Sequence, residues 1–364
     1  MRWPWAIQAG NCLQGDLRAY SAAFEAFTQG QNPYVQPQEE MLPPVWNPPL
    51  FFVALQLFGF QYFSPDHLPS WMLLQVTLLS LTILMLPCHR FGTEQRWDSG
   101  AIAAITLFPI FFADFRFGQF GIITLFLYQI AFRFIESRRL LTAGLVIGLT
   151  SFKPHLGYVL LVTAALHRPS RKLFVGYTLT TVLLSLLAEL WNPGVHWNWL
   201  HQVAGTPSLL GANLVSLVRL ALGIPDAVRA YYLVIGVSIA GSFAGYTLQR
   251  RLQSHIPTAE LSSYLLAMSA FFSPFGYLCD FAVLTLSWNY LIIRGFYSFG
   301  TRRTIRLSAC PALFFGLCGG FYPTGFVFSF AMTLGIVLLC FPRYLEQQSY
   351  RCEPPASEAP TSTH

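Results

Sequence analysis

Residues 140–166 read LLTAGLVIGLTSFKPHLGYVLLVTAAL, an apolar stretch broken in its middle by Ser151-Phe152-Lys153-Pro154. Arg138 and Arg139 precede it, and Arg168, Arg171 and Lys172 follow it. Basic residues at both ends are the signature of cytoplasmic loops. A hydrocarbon core of roughly 30 Å takes about 20 residues per helical crossing, so this stretch cannot cross and return in full. The pattern predicts two short helices that meet at the break, with Lys153 inside the membrane or near its outer face. A charge held there costs roughly 2.5–3.5 kcal/mol or more, which makes an intramembrane lysine a functional residue by default. The alternative is one kinked helix, which breaks the charge rule at one end.

The rest of the chain has the same character. Hydrophobic residues make up 54% of it and charged residues only 10%, against about 25% charged in an ordinary soluble domain. Apolar runs of helical length recur from Leu50 to Phe341, and they are continuous rather than alternating, which excludes a transmembrane barrel. The fold class is therefore all-α, a polytopic membrane helical bundle of about 10–12 transmembrane or partly spanning helices. Three segments are expected: residues 1–47 as an external juxtamembrane loop, 48–342 as the multi-spanning domain, and 343–364 as a disordered cytoplasmic tail. The formal charge of +6 sits in short clusters between apolar runs, so it reports topology and not nucleic-acid binding. The seven cysteines are scattered with no CxxC pair, which argues against a disulfide framework or a zinc site.

Placing every basic cluster on the cytoplasmic side orders the crossings. Ser99 to Ala113 and Gln119 to Ile135 form a hairpin with a charged outer tip at Asp114-Phe115-Arg116-Phe117-Gly118. Leu173 to Leu190 goes out, an aromatic polar loop from Trp191 to Asn213 follows, and Val228 to Leu248 returns. Glu260 to Ile293 is a hairpin with its apex at Ser273-Pro274-Phe275-Gly276-Tyr277, where proline removes a backbone donor. Leu307 to Phe341 makes a final pair. Pro48 to Phe63 reads as a short dipping element that starts and ends outside. Met1 to Gly15 lacks the apolar region of a cleavable signal, so export of the N-terminal segment points to a further helix upstream.

This topology sends the unusual polar residues to one membrane face: Asp16, Asp114, Gln119, Lys153, His196, His201 and Asp280. Three pieces of the N-terminal segment stand out in order. They are Gly15-Asp16-Leu17-Arg18-Ala19-Tyr20, then Gly30-Gln31-Asn32-Pro33-Tyr34, then Trp46-Asn47-Pro48-Pro49-Leu50 leading into the apolar run. Later come Gly118-Gln119, Arg138-Arg139, Ala143-Gly144, Gly148, Lys153-Pro154 and Ser273-Pro274.

Order and spacing of these motifs resemble the multi-spanning C-type glycosyltransferases. Within them the chain is similar to the polyprenol-phosphate-mannose-dependent alpha-mannosyltransferases and arabinan transferases of bacterial envelopes. The resemblance runs from about Asp16 to Asp280. It departs where the family commonly has Asn two positions after its Gln and this chain has Gly121, and where the family has Tyr and this chain has Trp46. It implies a membrane enzyme that moves a sugar, mannose by family, from a polyprenol-phosphate donor to a lipid or glycan acceptor, with inversion. The site would face away from the cytosol, in a bacterial plasma membrane. No cofactor and no metal are expected.

Under that resemblance Asp16 is the base that takes the acceptor hydroxyl proton. Lys153, with Arg116 or Arg18, would stabilise the leaving phosphate, and Gln119 would orient the donor. Tyr20, Asn32, Tyr34 and Asp114 complete the expected substrate-binding set. Each residue has a structural alternative. Asp16 could cap a helix beginning at Leu17, Asp114 and Arg116 could be a solvated loop tip, Lys153 could snorkel outward, and Asp280 could satisfy backbone groups freed at the Ser-Pro turn. His196 and His201 lie among Trp191, Trp197 and Trp199 in what reads as an interfacial aromatic belt, and they are left out of the catalytic set. A transporter or flippase is the competing function, since broken helices and intramembrane charge also build substrate paths.

Overall fold

The structure, a computed structural model, describes residues 15–35, 45, 47–59, 68–86, 118–204, 227–253, 258–272 and 282–299, with short pieces between 103 and 115. The expected apex at 273–277, the final pair at 307–341 and the tail at 343–364 lie outside the described residues. Among the described residues the protein is all-α, with no strand.

The helices in chain order are α1 (Gly15–Thr28), α2 (Leu50–Leu57), α3 (Leu68–Met85), α4 (Gly121–Glu136), α5 (Leu140–Gly148), α6 (Tyr158–Leu166), α7 (Arg171–Trp191), α8 (Val195–Ala204), α9 (Ala227–Leu252), α10 (Thr258–Phe272) and α11 (Leu284–Phe299). A short 3₁₀ turn at Pro154–Leu156 separates α5 from α6. Residues 168–191 and 232–252 are long and apolar enough to cross a membrane by length and composition. Along α7, Leu179, Leu183, Leu186 and Leu190 are each more than half exposed. In water a stripe of that size would be an aggregation hazard; in lipid it is an ordinary surface.

The 140–166 stretch folds as two short helices, and the break lies where the sequence places it. At nine residues each, α5 and α6 are about 13 Å long, well short of a crossing. They are antiparallel in effect: Leu140 at the start of α5, Ala164 near the end of α6 and Leu173 at the start of α7 line one small cavity. The pair therefore enters the bundle and returns to the level at which it began. Alongside it, α5 runs parallel to α7. Their axes approach so closely that a Cβ on Gly144 would stand 2.1 Å from the Leu173 carbonyl oxygen, and one on Gly176 would stand 2.3 Å from that of Leu141. Small residues at both positions let the two backbones touch, as in membrane helix pairs that lack a hydrophobic driving force. The Thr180 hydroxyl closes the seam by donating to the Leu145 carbonyl at 3.1 Å.

The same cavity is lined by Ile135 at the end of α4, Gln249 near the end of α9 and Thr258 at the start of α10. Three basic clusters, Arg138 with Arg139, Arg168 with Arg171 and Lys172, and Arg250 with Arg251, thus collect at one end of the helices, and all these side chains are exposed. From that end α4 runs back through 16 residues, about 24 Å, to Phe120 and Gln119. There the apolar core changes. Around the basic end it is built by α4, α5, α6, α10 and α11. At the other end it is built by α1 and α2 with Phe120, Phe152, Leu184 and Ala188.

Helix α1 is amphipathic, burying Leu17, Tyr20, Phe24 and Phe27 while exposing Arg18 and Glu25. It lies as a cap on that far core. With eight residues, α2 is about 12 Å long and buries Leu50 through Leu55.

Candidate functional site

At the tip of the α5–α6 pair the chain passes through Thr150, Ser151, Phe152 and Lys153. Backbone turns close at Thr150, Ser151 and Lys153, each N–H donating three residues back, and Pro154 starts the 3₁₀ turn. Pro at the first position of a turn lacks only a donor that would have no partner there. Two buried aromatic rings fix the direction in which this tip faces. Phe152 packs on Phe51, with ring centres 5.6 Å apart, and on Phe120 at 6.1 Å. Phe120 in turn meets Tyr20 at 5.4 Å and Trp71 at 5.0 Å. The residues next to these two phenylalanines, Gln119 and Lys153, are thereby brought face to face.

Gln119 is the hub. Its amide Nε2 donates to Asp16 Oδ2 at 2.6 Å. Its Oε1 accepts from the Tyr20 hydroxyl at 3.2 Å and from Lys153 Nζ at 3.4 Å. Two donors on the oxygen and one acceptor at the nitrogen leave no ambiguity in the orientation of the amide. Lys153 and Gln119 are both buried, at 6% and 8% exposed, so these bonds form away from bulk water, where they are strongest. Asp16 sits in the first turn of α1, where the helix dipole favours a carboxylate. Its place at a helix start and its bond to Gln119 coexist, and the helix begins at Gly15.

Gln119 is held from behind as well. Gly118, with φ +71°, takes the left-handed conformation that glycine adopts without steric cost. The N–H groups of Gly118 and Gln119 both donate to the Asp114 carbonyl at 3.0 Å. The Gln119 carbonyl accepts from Gln75 Nε2 at 2.7 Å. Gln75 stands alone as an amide in the apolar α3 sequence, and that isolation was the signal available for it.

The alternative of a solvated loop tip does not hold for Asp114, which is fully buried. Its Oδ1 accepts from the Gly121 N–H at 2.8 Å and its Oδ2 from the Ile122 N–H at 2.9 Å. The N-cap residue of α4 is Phe120, whose side chain makes no capping bond; Asp114 supplies that function from six residues upstream of it. A carboxylate buried at a helix N-terminus is stabilised both by the unpaired donors and by the dipole.

Asn32 and Tyr34 belong to a different network. Asn32 Oδ1 accepts from the Tyr34 N–H at 3.0 Å, a local Asx turn, and the Tyr34 hydroxyl donates to the Asn47 carbonyl at 3.0 Å. Burial pushes the Tyr34 phenol well above its ordinary range, so it stays a neutral donor. Asn192 Nδ2, just past α7, donates to the Gln31 carbonyl at 2.7 Å. These bonds tie residues 31–34 to the start of α2 and the end of α7. Arg18 is exposed on α1, and Arg116 lies outside the described residues. His196 pairs through Nδ1 with Glu189 Oε2 at 2.7 Å, and Glu189 Oε1 accepts from the Gly194 N–H at 2.6 Å, which shapes the turn from α7 into α8. Trp197 meets His201 edge-on at 4.6 Å.

A carboxylate, an amide and a lysine thus gather at the tip of the broken pair, within a bundle of short and long apolar helices. The model of Glycosyltransferase family 87 matches residues 46–289, more than half of the chain. The protein belongs to that family, whose members are membrane glycosyltransferases. The matched range includes Gln75, Gln119 and Lys153; Asp16 and Tyr20 precede it and join them through the fold. Among curated proteins, none matches this chain.

Proposed function

We propose that this glycosyltransferase moves a sugar, mannose in the first instance, from a polyprenol-phosphate donor to an envelope lipid or glycan. Transfer would take place at the non-cytoplasmic face of a bacterial plasma membrane, within a polytopic bundle. The observation that carries the proposal is the Gln119 amide bridging the Asp16 carboxylate and the Lys153 ammonium. Direct displacement needs a base on one side of the anomeric carbon and a cation on the other, and one fixed amide spaces the two.

In this scheme Asp16 takes the proton from the acceptor hydroxyl as that oxygen attacks the anomeric carbon. The bond from that carbon to the donor phosphate oxygen breaks, and its electron pair leaves with the polyprenol phosphate. The Lys153 ammonium stabilises the negative charge that develops there. One displacement inverts the anomeric configuration. The position of the constellation about 24 Å along α4 from the exposed basic clusters supports a site on the face opposite the cytosol. Membership of a glycosyltransferase family favours transfer over the transporter reading.

The deciding experiment is a donor panel of polyprenol-phosphate mannose, arabinose and glucose presented to membranes containing the protein, read out by labelled acceptor. Transfer from one donor, lost in Asp16→Asn, supports the proposal. Failure with every donor, alongside vectorial uptake of a polar substrate in liposomes, supports the transporter.

A further inference from the structure

Helix α3 carries Trp71 and Gln75 four residues apart, hence on one face. That face packs on the start of α4: the Trp71 ring meets Phe120 at 5.0 Å, and Gln75 Nε2 donates to the Gln119 carbonyl at 2.7 Å. Because the partner is a carbonyl, the nitrogen of the Gln75 amide must face it, which sets the position of the oxygen. That oxygen is buried, on a side chain with 0% exposure, and among the described residues it has no hydrogen-bond partner.

An amide oxygen shut away from water without a donor is destabilising, and native structures leave few such groups. Packing alone does not account for it, because leucine or methionine would fill an apolar helix face without the penalty. The bond from Gln75 to Gln119 does not need the orphan oxygen to be where it is either, since a side chain with a donor and no acceptor would serve as well. The Gln75 amide is anchored through its nitrogen to the backbone carbonyl of Gln119, whose side chain bonds both Asp16 and Lys153. Under the proposed function, the space flanked by those two groups holds the donor sugar, a molecule rich in hydroxyl donors.

We infer that Gln75 is a specificity-determining residue: its Oε1 accepts a hydrogen bond from one hydroxyl of the transferred sugar. The inference rests on the glycosyl-transfer reading of the Asp16–Gln119–Lys153 site and adds to it a contact on the sugar itself. A site that presents a buried acceptor to a hydroxyl rejects an analogue lacking that hydroxyl, because the acceptor is then left unpaired. With the acceptor removed, the two substrates become nearly equivalent.

The test uses the full-length chain in proteoliposomes with polyprenol-phosphate mannose, or whichever of the arabinose and glucose donors is turned over, and the monodeoxy analogues of that donor, each lacking one hydroxyl. In the unmodified protein one analogue is expected to lose about 10–100-fold in kcat/KM relative to the parent donor. In Gln75→Met the parent donor is expected to fall by a similar factor, while the penalty for that one analogue shrinks to less than about threefold and the penalties for the others persist. A purely structural role for Gln75 would lower all donors together and leave their ratios intact, so parallel profiles in the two proteins overturn the inference. If Gln75→Met does not fold, the unmodified protein still decides: indifference to every monodeoxy donor, within about twofold, overturns it. Absence of transfer from all parent donors overturns the functional reading and this inference with it, an outcome distinct from parallel profiles.

Discussion

Gln119 Nε2 and Asp16 Oδ2 are 2.6 Å apart although 103 residues separate them in sequence. The bond links the first turn of helix α1 to the turn that opens α4. Since the other end of the same amide accepts from Lys153, three separate parts of the chain converge on one side chain.

Asp16→Asn keeps the size of the side chain and a group that can bond to Gln119, but not the capacity to take a proton. Transfer should fall by about 10²–10⁴-fold in kcat, the usual worth of a positioned base. The variant should elute from size exclusion in detergent as the unmodified protein does. Retention of most of the activity would assign the base to another residue.

Lys153→Met preserves the stem of the side chain and removes the charge. A fixed cation at a leaving phosphate is worth about 10²–10³-fold in kcat, and the loss should appear in kcat more than in KM. Steady-state kinetics with the donor in excess separate the two. An unchanged kcat would demote Lys153 to a topological anchor.

Asp114→Ala leaves the Gly121 and Ile122 N–H groups without their carboxylate. The loss of such a cap costs about 0.5–2 kcal/mol, so thermal unfolding followed by tryptophan fluorescence in detergent should shift downward. Gln119 hangs from the Asp114 carbonyl and not from its side chain, so the donor KM should change less than the stability. A large rise in KM with unchanged melting would instead make Asp114 a donor contact.

Gly144→Ala puts a methyl group where the Leu173 carbonyl already stands, 2.1 Å from the new Cβ. The α5–α7 seam must open, at a cost of about 1–3 kcal/mol. Lowered thermal stability and a weakened Thr180–Leu145 bond are the expected results. Gly236, with open space at its Cβ position, is the control, and Gly236→Ala should have little effect.

Cysteines introduced at Asp16 and at Arg139 test the sidedness directly. In a background free of native cysteines, a membrane-impermeant maleimide added to whole cells should label position 16, and should reach position 139 only after permeabilisation. The opposite result would turn the bundle over and remove Asp16 from any periplasmic reaction.

Some of this was legible from the chain alone. Residues 140–166 declare a broken pair because two local rules conflict there: the apolar length is too short for two crossings, and both flanks are basic. Helix α7 and helix α9 show themselves by length and hydropathy. The proximity of Lys153 to an acidic residue of the N-terminal segment was within reach of topology arguments. By contrast, the sequence left Asp114 open between a substrate contact and a solvated loop tip, and only the folded chain shows that its carboxylate turns inward onto the start of α4. Asn32 and Tyr34, conspicuous in sequence, make a local turn and anchor α2, which a pattern of residue types does not distinguish from a binding loop.

Periodicity, apolar length and the placement of basic residues are local quantities, and they determined by themselves the all-helical class, the break at Lys153 and the ends of the helices that carry positive charge. Which polar groups meet was decided by tertiary structure alone. A hydrogen bond depends on tenths of an ångström, and here that distance is set by the packing of Phe120 against Phe152 and by the seam at Gly144 and Gly176. Gln75 illustrates the difference: the sequence reading passed over this amide in an apolar helix, and only the folded chain brings it to the backbone of Gln119.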